Sequence, residues 1–188
     1  MGTEMKKTKP FLVGEDVYLR PLERADLKGN YRNWINNSKV TAFTSAGTFP
    51  ITDDEMEWYY ESNLKGAAVL FAVVETSTGK HVGNARIYEI DWIARKASRG
   101  IMLSSQVWGK GYGLQVINLL SDYAFNTLGL NKLKSCTVTE NEGIKKVNER
   151  AGYKQEGIVR QEFYRGGRFY DMYVWGLTKG DYDELRNS

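Results

Sequence analysis

One cysteine, Cys136, and one histidine, His81, occur in this chain of 188 residues. A lone thiol excludes an internal disulfide and suits a reducing compartment. It also excludes a zinc site built on several thiolates, and a lone histidine excludes metal helices built on paired histidines. No metal is expected. No apolar run approaches the roughly 20 residues that span a bilayer, and the lysine-rich start, Met1 to Pro10, lacks the apolar core of a secretion signal. A cytoplasmic protein without a membrane role is expected. Neither charge sign dominates: 26 basic against 23 acidic residues leave +3, a balance that predicts no nucleic-acid partner. The 3 prolines form no linker and no segment repeats, so a flexible tail over 1–12 is expected before one domain over 13–188. Hydrophobic residues, 41% of the chain, suffice for one sizeable core.

The elements read as mixed α/β. Val17 to Leu22 is a short strand, and Asp26 is placed to cap a helix running through Tyr31 and Trp34 to about Asn37. The stretch Ser38 to Thr52 reads as loop, and Thr52-Asp53-Asp54-Glu55 opens a second helix. Three strands follow, Ala67 to Glu75, His81 to Ile90 and Lys96 to Leu103. From Leu114 the apolar spacing turns helical, until Gly129. Leu133 to Thr139 is a strand, Asn141 to Ala151 a short helix, and Tyr153 to Leu177 a hairpin turning at Arg165-Gly166-Gly167. Cys136 inside its strand is expected to be buried and His81 beside a turn to be exposed.

The most informative segment is Trp108-Gly109-Lys110-Gly111-Tyr112-Gly113, between a strand and an amphipathic helix. Glycines let backbone approach an anion, the first helical amides point at it, and Lys110 adds a cation. A P-loop needs serine or threonine after Gly-Lys, where Gly111 stands. A dinucleotide fingerprint needs a longer glycine spacing and a later acid. Both are excluded.

That segment resembles the coenzyme A pyrophosphate loop of GNAT acetyltransferases, in the branch that acts on ribosomal proteins, spermidine and amino sugars. Asn141, Lys146, Val147, Glu149, Arg150, Gly152, Tyr153, Glu156 and Gly157 resemble the family's second motif, and Gly167 to Asp171 its closing turn. The likeness runs from about Val13 to Asp183. It implies a single twisted mixed sheet, flanked by helices, whose central parallel strands splay apart to admit acetyl-CoA. It implies transfer of an acetyl group to a primary amine, on a protein N-terminus, a polyamine or an amino sugar, by direct attack in a ternary complex. Amides of Ile101, Met102 and Leu103 would meet the cofactor, together with Trp108, Gly109, Lys110, Gly111, Tyr112, Gly113, Asn141 and Lys146.

Glu89 is the first candidate for general base and Asp91 the second. The branch often places a glutamate where Ser98 stands, and the family's thiolate-protonating tyrosine corresponds to Asn148, whose amide can bond sulfur but donates no proton to it. Trp34, Phe43 and Phe49, with Glu89, are the candidate acceptor-binding residues, and Asp53, Asp54, Glu55, Glu57 and Glu61 are candidates to attract a cationic amine. The competing reading is a non-catalytic acetyl-CoA sensor or scaffold. The oligomeric state is not legible in the sequence; the resemblance admits a homodimer.

Overall fold

The structure, a computed structural model, describes residues 9–65 and 68–187. It opens with β1 (Leu12–Val13) and β2 (Val17–Pro21). Four short helices follow: α1 (Arg24–Asp26), α2 (Arg32–Ile35), α3 (Ser38–Thr41) and α4 (Asp53–Lys65). Then come β3 (Val69–Glu75), β4 (His81–Asp91), β5 (Lys96–Leu103), α5 (Tyr112–Asp122), β6 (Lys132–Val138) and α6 (Glu142–Arg150). A hairpin, β7 (Lys154–Arg165) and β8 (Arg168–Thr178), and α7 (Lys179–Asn187) close the chain.

The strands form one eight-stranded sheet in the order β1-β2-β3-β4-β5-β6-β8-β7. Among the described strands only β5 and β6 run parallel, and they pair at three positions: Lys96 with Lys132, Ala97 with Leu133, Ser98 with Lys134. Beyond Ser98, β5 continues beside β4 as far as Leu103, while β6 continues beside β8 as far as Val138. The sheet therefore opens into a gap between Arg99–Leu103 on one side and Ser135–Val138 on the other.

Two cores lie on opposite faces. One packs α5, α7 and the start of the hairpin on the sheet, with Val116, Ile117, Leu120 and Leu133 all 0% exposed. Burying each such side chain stabilises the fold by about 1.5–3 kcal/mol. The helical spacing of Val116, Ile117, Leu120 and Ala124 is what turns α5 onto the sheet. The other core packs Leu27, Tyr31, Trp34, Ile35 and Met56 of the early helices against Leu70 and Ala72 of β3.

Several expectations are corrected. Asp26 is not the helix cap: Glu23 caps α1, and Asp26 sits three residues later, accepting the Glu23 N–H at 2.8 Å. The expected first helix is broken, because Gly29 takes a non-helical ψ of −143° between α1 and α2. Ser38–Thr41 is helical, not loop, since the Asn37 side chain accepts the Lys39 N–H. Phe11 and Leu12 are not tail: the Phe11 N–H donates to Leu19, and its ring meets Tyr123 edge-on at 5.5 Å. The rest of the expected tail, over 1–8, lies outside the described residues, as does Ala67 at the expected start of β3.

Candidate active site

The directions of the β5 amides follow from one hydrogen bond. Ser104 donates its N–H to Val82 of β4 at 2.9 Å. Strand N–H groups alternate sides, so Gly100 and Met102 also face β4, whereas Ile101 and Leu103 present theirs to the open gap. This separates the three candidates. Ile101 and Leu103 offer free donors to a ligand, but the Met102 N–H is committed to β4, and its side chain packs on the opposite face with the early helices. Met102 thus packs, partly buried, with the early helices, its N–H turned away from the gap. The Trp108 indole N–H donates to the Leu103 carbonyl at 3.0 Å, which ties the glycine loop to the mouth of the gap.

In that loop Gly109 and Gly111 have φ of 78° and 83°, a left-handed conformation strained for any residue with a Cβ. Gly111 is the N-cap of α5 and brings no side-chain cap, so the first amides of the helix remain open to an anion. A Cβ on Gly113 would lie 3.9 Å from the side chains of Ile101, Leu103 and Val147. Gly113 thus floors the gap between β5 and α6, where a side chain would narrow the cradle.

Lys110 and Tyr112 are held differently from the expectation. Both bond the Glu75 carboxylate, at 3.2 and 2.7 Å, so the Lys110 charge is already paired. Bonds from Thr78, Tyr112 and Lys110 hold the Glu75 carboxyl down at about 2, and the carboxylate in turn pushes the Tyr112 phenol up to about 12. Across the gap, Asn141 caps α6, its side-chain oxygen accepting the Ile144 N–H at 3.4 Å, which leaves its amide N–H₂ for a ligand. Lys146 is exposed on α6. Open amides, glycine floor and a further buried cation, Arg99, fit a slender, phosphorylated cofactor such as coenzyme A.

The opposite face carries the candidate base. A bulge interrupts the β4–β5 pairing between Tyr88 and Asp91, and within it Glu89 adopts φ of 53°. Left-handed backbone in a non-glycine residue stores strain and turns the side chain out of the normal alternation. Glu89 thereby reaches Ser98, whose hydroxyl donates to its carboxylate at 2.6 Å. By register, Tyr88, Ser98, Lys134 and Cys136 share this face. Cys136 is exposed, contrary to expectation, because the splay leaves β6 without a neighbour on its β5 side. Partial desolvation raises its thiol pKa; Lys134 opposes this and the Glu89 and Glu162 carboxylates add to it. Asp91 instead caps its own turn, accepting the N–H of Ile93 and Ala94 at 3.1 and 2.8 Å.

The candidate acceptor residues are divided. Phe43 and Phe49 line a cavity of about 580 Å³ with Arg165 and Tyr170. Trp34 does not: it is 7% exposed in the second core, edge-on to His81 at 5.0 Å. His81 is likewise not a surface residue. Its side chain is 13% exposed, bonded to Asn84 and 3.6 Å from Asp26. Of the acidic residues, Asp53 pairs with Arg32 and both Glu57 and Glu61 with Arg24, Glu55 accepts hydrogen bonds from Thr52, and Asp54 is exposed with no partner among the described residues.

Sequence reasoning missed two residues. Arg165 donates from one guanidinium to the carbonyls of Thr41, Thr44, Ala46 and Gly47, fastening the hairpin tip over the 41–47 segment. Arg99 is 3% exposed at the closed end of the gap. Its signal was present, since Ala97, Arg99 and Ile101 alternate onto one buried face. Among the described residues, no cluster of three or more metal-ligating side chains occurs, and no helix is long and apolar enough to cross a membrane.

A family model for the acetyltransferase (GNAT) domain matches residues 16–154. A spermidine N(1)-acetyltransferase of Vibrio cholerae is 30% identical over 160 residues, covering 85% of this chain and 91% of that protein. A putative ribosomal N-acetyltransferase of Bacillus subtilis is also 30% identical, over 181 residues, covering 91% and 96%. Among solved structures, the Vibrio cholerae spermidine N-acetyltransferase in complex with CoA and spermine superposes with a TM-score of 0.81 at 28% identity, covering 89% of this chain and 98% of that one. The chain belongs to the GNAT family and is an N-acetyltransferase that moves an acetyl group from acetyl-CoA to an amine.

Proposed function

We propose that the acceptor is a polyamine, acetylated on a primary amine by direct attack in a ternary complex. The carrying observation is Glu89, a carboxylate held by the Ser98 hydroxyl at 2.6 Å on the face where Cys136 is exposed, with Glu162 of β7 as a second exposed carboxylate. A slender polycation has a charge for each of them, whereas Asp53, Glu57 and Glu61 of α4 are already paired with arginines. The relatives named for spermidine support the same choice.

Acetyl-CoA supplies an activated acyl group. The chain's own residues do the rest. Ile101 and Leu103 orient the cofactor through their N–H groups, and one of these donors faces the carbonyl oxygen as charge builds on it. The α5 N-terminus and the glycine loop hold the pyrophosphate; Asn141 and Lys146 approach from α6. Glu89, steadied by Ser98, takes the proton from the entering ammonium so that a neutral amine attacks. Phe43, Phe49 and Tyr170 bound the acceptor's far end, and Arg165 keeps that wall in place. We place the reaction in the cytoplasm, where acetyl-CoA and a free thiol such as Cys136 coexist. Assembly into a homo-oligomer is part of the same proposal, supported by the dodecameric Vibrio cholerae relative.

A thiol-release assay with acetyl-CoA tests this reading against spermidine, spermine, ribosomal N-terminal peptides and amino-sugar nucleotides. Release with the polyamines in preference to the others is expected. Preference for a peptide or sugar refutes the polyamine assignment; tight cofactor binding without turnover for any amine favours a sensor.

A further inference from the structure

Arg99 is the first residue of β5 past the point where β6 leaves it. Its side chain lies on the face shared with Ala97 and Ile101, toward α6. There its guanidinium donates to the Asn148 side-chain oxygen and stacks over the Tyr153 ring at 4.4 Å. Asn148 follows β6 in the chain, so this hydrogen bond bridges the two arms of the gap at its closed end. Arg99 is 3% exposed, Asn148 0% and Tyr153 3%.

The cluster is incomplete. Arg99 Nε and Asn148 Nδ2 are buried donors without a hydrogen-bond partner, and among the described residues no carboxylate pairs with the guanidinium. An arginine cannot shed its proton, and a buried cation without counter-charge is costly. The Tyr153 ring offsets part of that cost. Two buried donors without partners, one of them on the cation itself, form a site for a group that carries negative charge. The Tyr153 hydroxyl is no substitute acid, since it lies 3.5 Å from Ser121 under α5.

We propose that Arg99 and Asn148 form the leaving-group site, and that coenzyme A departs as a thiolate paired with Arg99 rather than as a thiol protonated by the enzyme. The balance is simple. The amine nitrogen bonds the acetyl carbon, and the carbon–sulfur bond breaks with its electron pair passing to sulfur. Glu89 passes the ammonium proton to solvent before the attack, and then takes the surplus proton on nitrogen and passes that on to solvent too. The thiolate takes a proton from water after release. Arg99 keeps its protons throughout, and the Asn148 amide bonds the sulfur from the other arm. This inference rests on acetyl-CoA use and not on the choice of acceptor.

Calorimetry of coenzyme A and of acetyl-CoA at neutral pH, in buffers of different ionisation enthalpy, tests it without any variant. A cysteine-like thiol ionises only near about pH 8.5 in water, so capture of the thiolate releases about one more proton with coenzyme A than with acetyl-CoA. An ultraviolet thiolate band should accompany that release. In Arg99→Met the difference should vanish and kcat should fall about 100-fold, while Arg99→Lys, which keeps the charge, should retain the proton release. Equal proton counts for the two ligands in the unaltered protein overturn the proposal, as does an Arg99→Met protein of unchanged kcat. Failure of either ligand to bind at all would instead overturn the cofactor site.

Discussion

Ser98 donates its hydroxyl to Glu89 at 2.6 Å across the bulge that interrupts β4 and β5. The branch's usual glutamate at position 98 is absent, yet a carboxylate returns to the same place from the neighbouring strand. Strain at Glu89, with φ of 53°, is what directs it there. Glu89→Gln should lower kcat by about 100-fold or more and alter the pH profile of kcat/KM. Ser98→Ala should cost less, since the carboxylate remains. Steady-state kinetics on both variants check this, and an unchanged Glu89→Gln profile would remove Glu89 as the base.

The glycine loop was legible because two signals coincided, alternate glycines and a change from strand to helical periodicity at Leu114. The early helices were less so. Gly29 breaks a pattern that periodicity alone reads as continuous, and α3, four residues long, is marked in the sequence by its Asn37 cap and not by any apolar period. His81 and Cys136 were misplaced for a shared physical reason. Their exposure depends on partners far away in sequence: Trp34 and Asp26 cover His81, and the departure of β5 from β6 uncovers Cys136.

Gly111→Val should abolish acetyl-CoA binding, since left-handed backbone at φ of 83° costs a residue with a Cβ about 1–2 kcal/mol or reshapes the loop. Gly113→Val should act differently, filling the cradle between Ile101, Leu103 and Val147. Calorimetric titration should show binding lost in the first and weakened in the second, both proteins remaining folded by circular dichroism.

Burial holds the folded His81 imidazole below its ordinary 6.5, with Asp26 partly opposing. The unfolded chain therefore takes up the proton first as pH falls. His81 leaves stability undiminished above about pH 6.5, reduces it below that, and adds no further loss once the folded group also titrates. Denaturant unfolding from pH 7.5 to 5.5 should show this slope, and His81→Gln should flatten it.

Glu75→Gln should loosen the loop, because Lys110 loses its counter-charge and Tyr112 keeps only a neutral acceptor. The carboxyl is held at about 2 against an ordinary 4.5, so its contribution is present above pH 4.5 and lost as pH falls toward 2. The stability difference between the two proteins should be largest near neutrality and shrink through that window.

Arg165→Ala releases four backbone carbonyls of the 41–47 segment. Charge-assisted bonds of this kind contribute about 1.5–3 kcal/mol. The KM for the acceptor should rise while the KM for acetyl-CoA stays unchanged, because the segment borders Phe43 and Tyr170 and not the gap.

The central claim is that the splayed sheet takes acetyl-CoA on one face and a cationic amine on the other. Amide-resolved NMR titration tests it most directly. Acetyl-CoA should shift the amides of Ile101, Leu103, Gly111 and Gly113, and N-acetylspermidine added afterwards should shift those around Glu89, Ser98 and Cys136. Cofactor shifts confined to residues outside the gap, or acceptor shifts centred on α4, would contradict it.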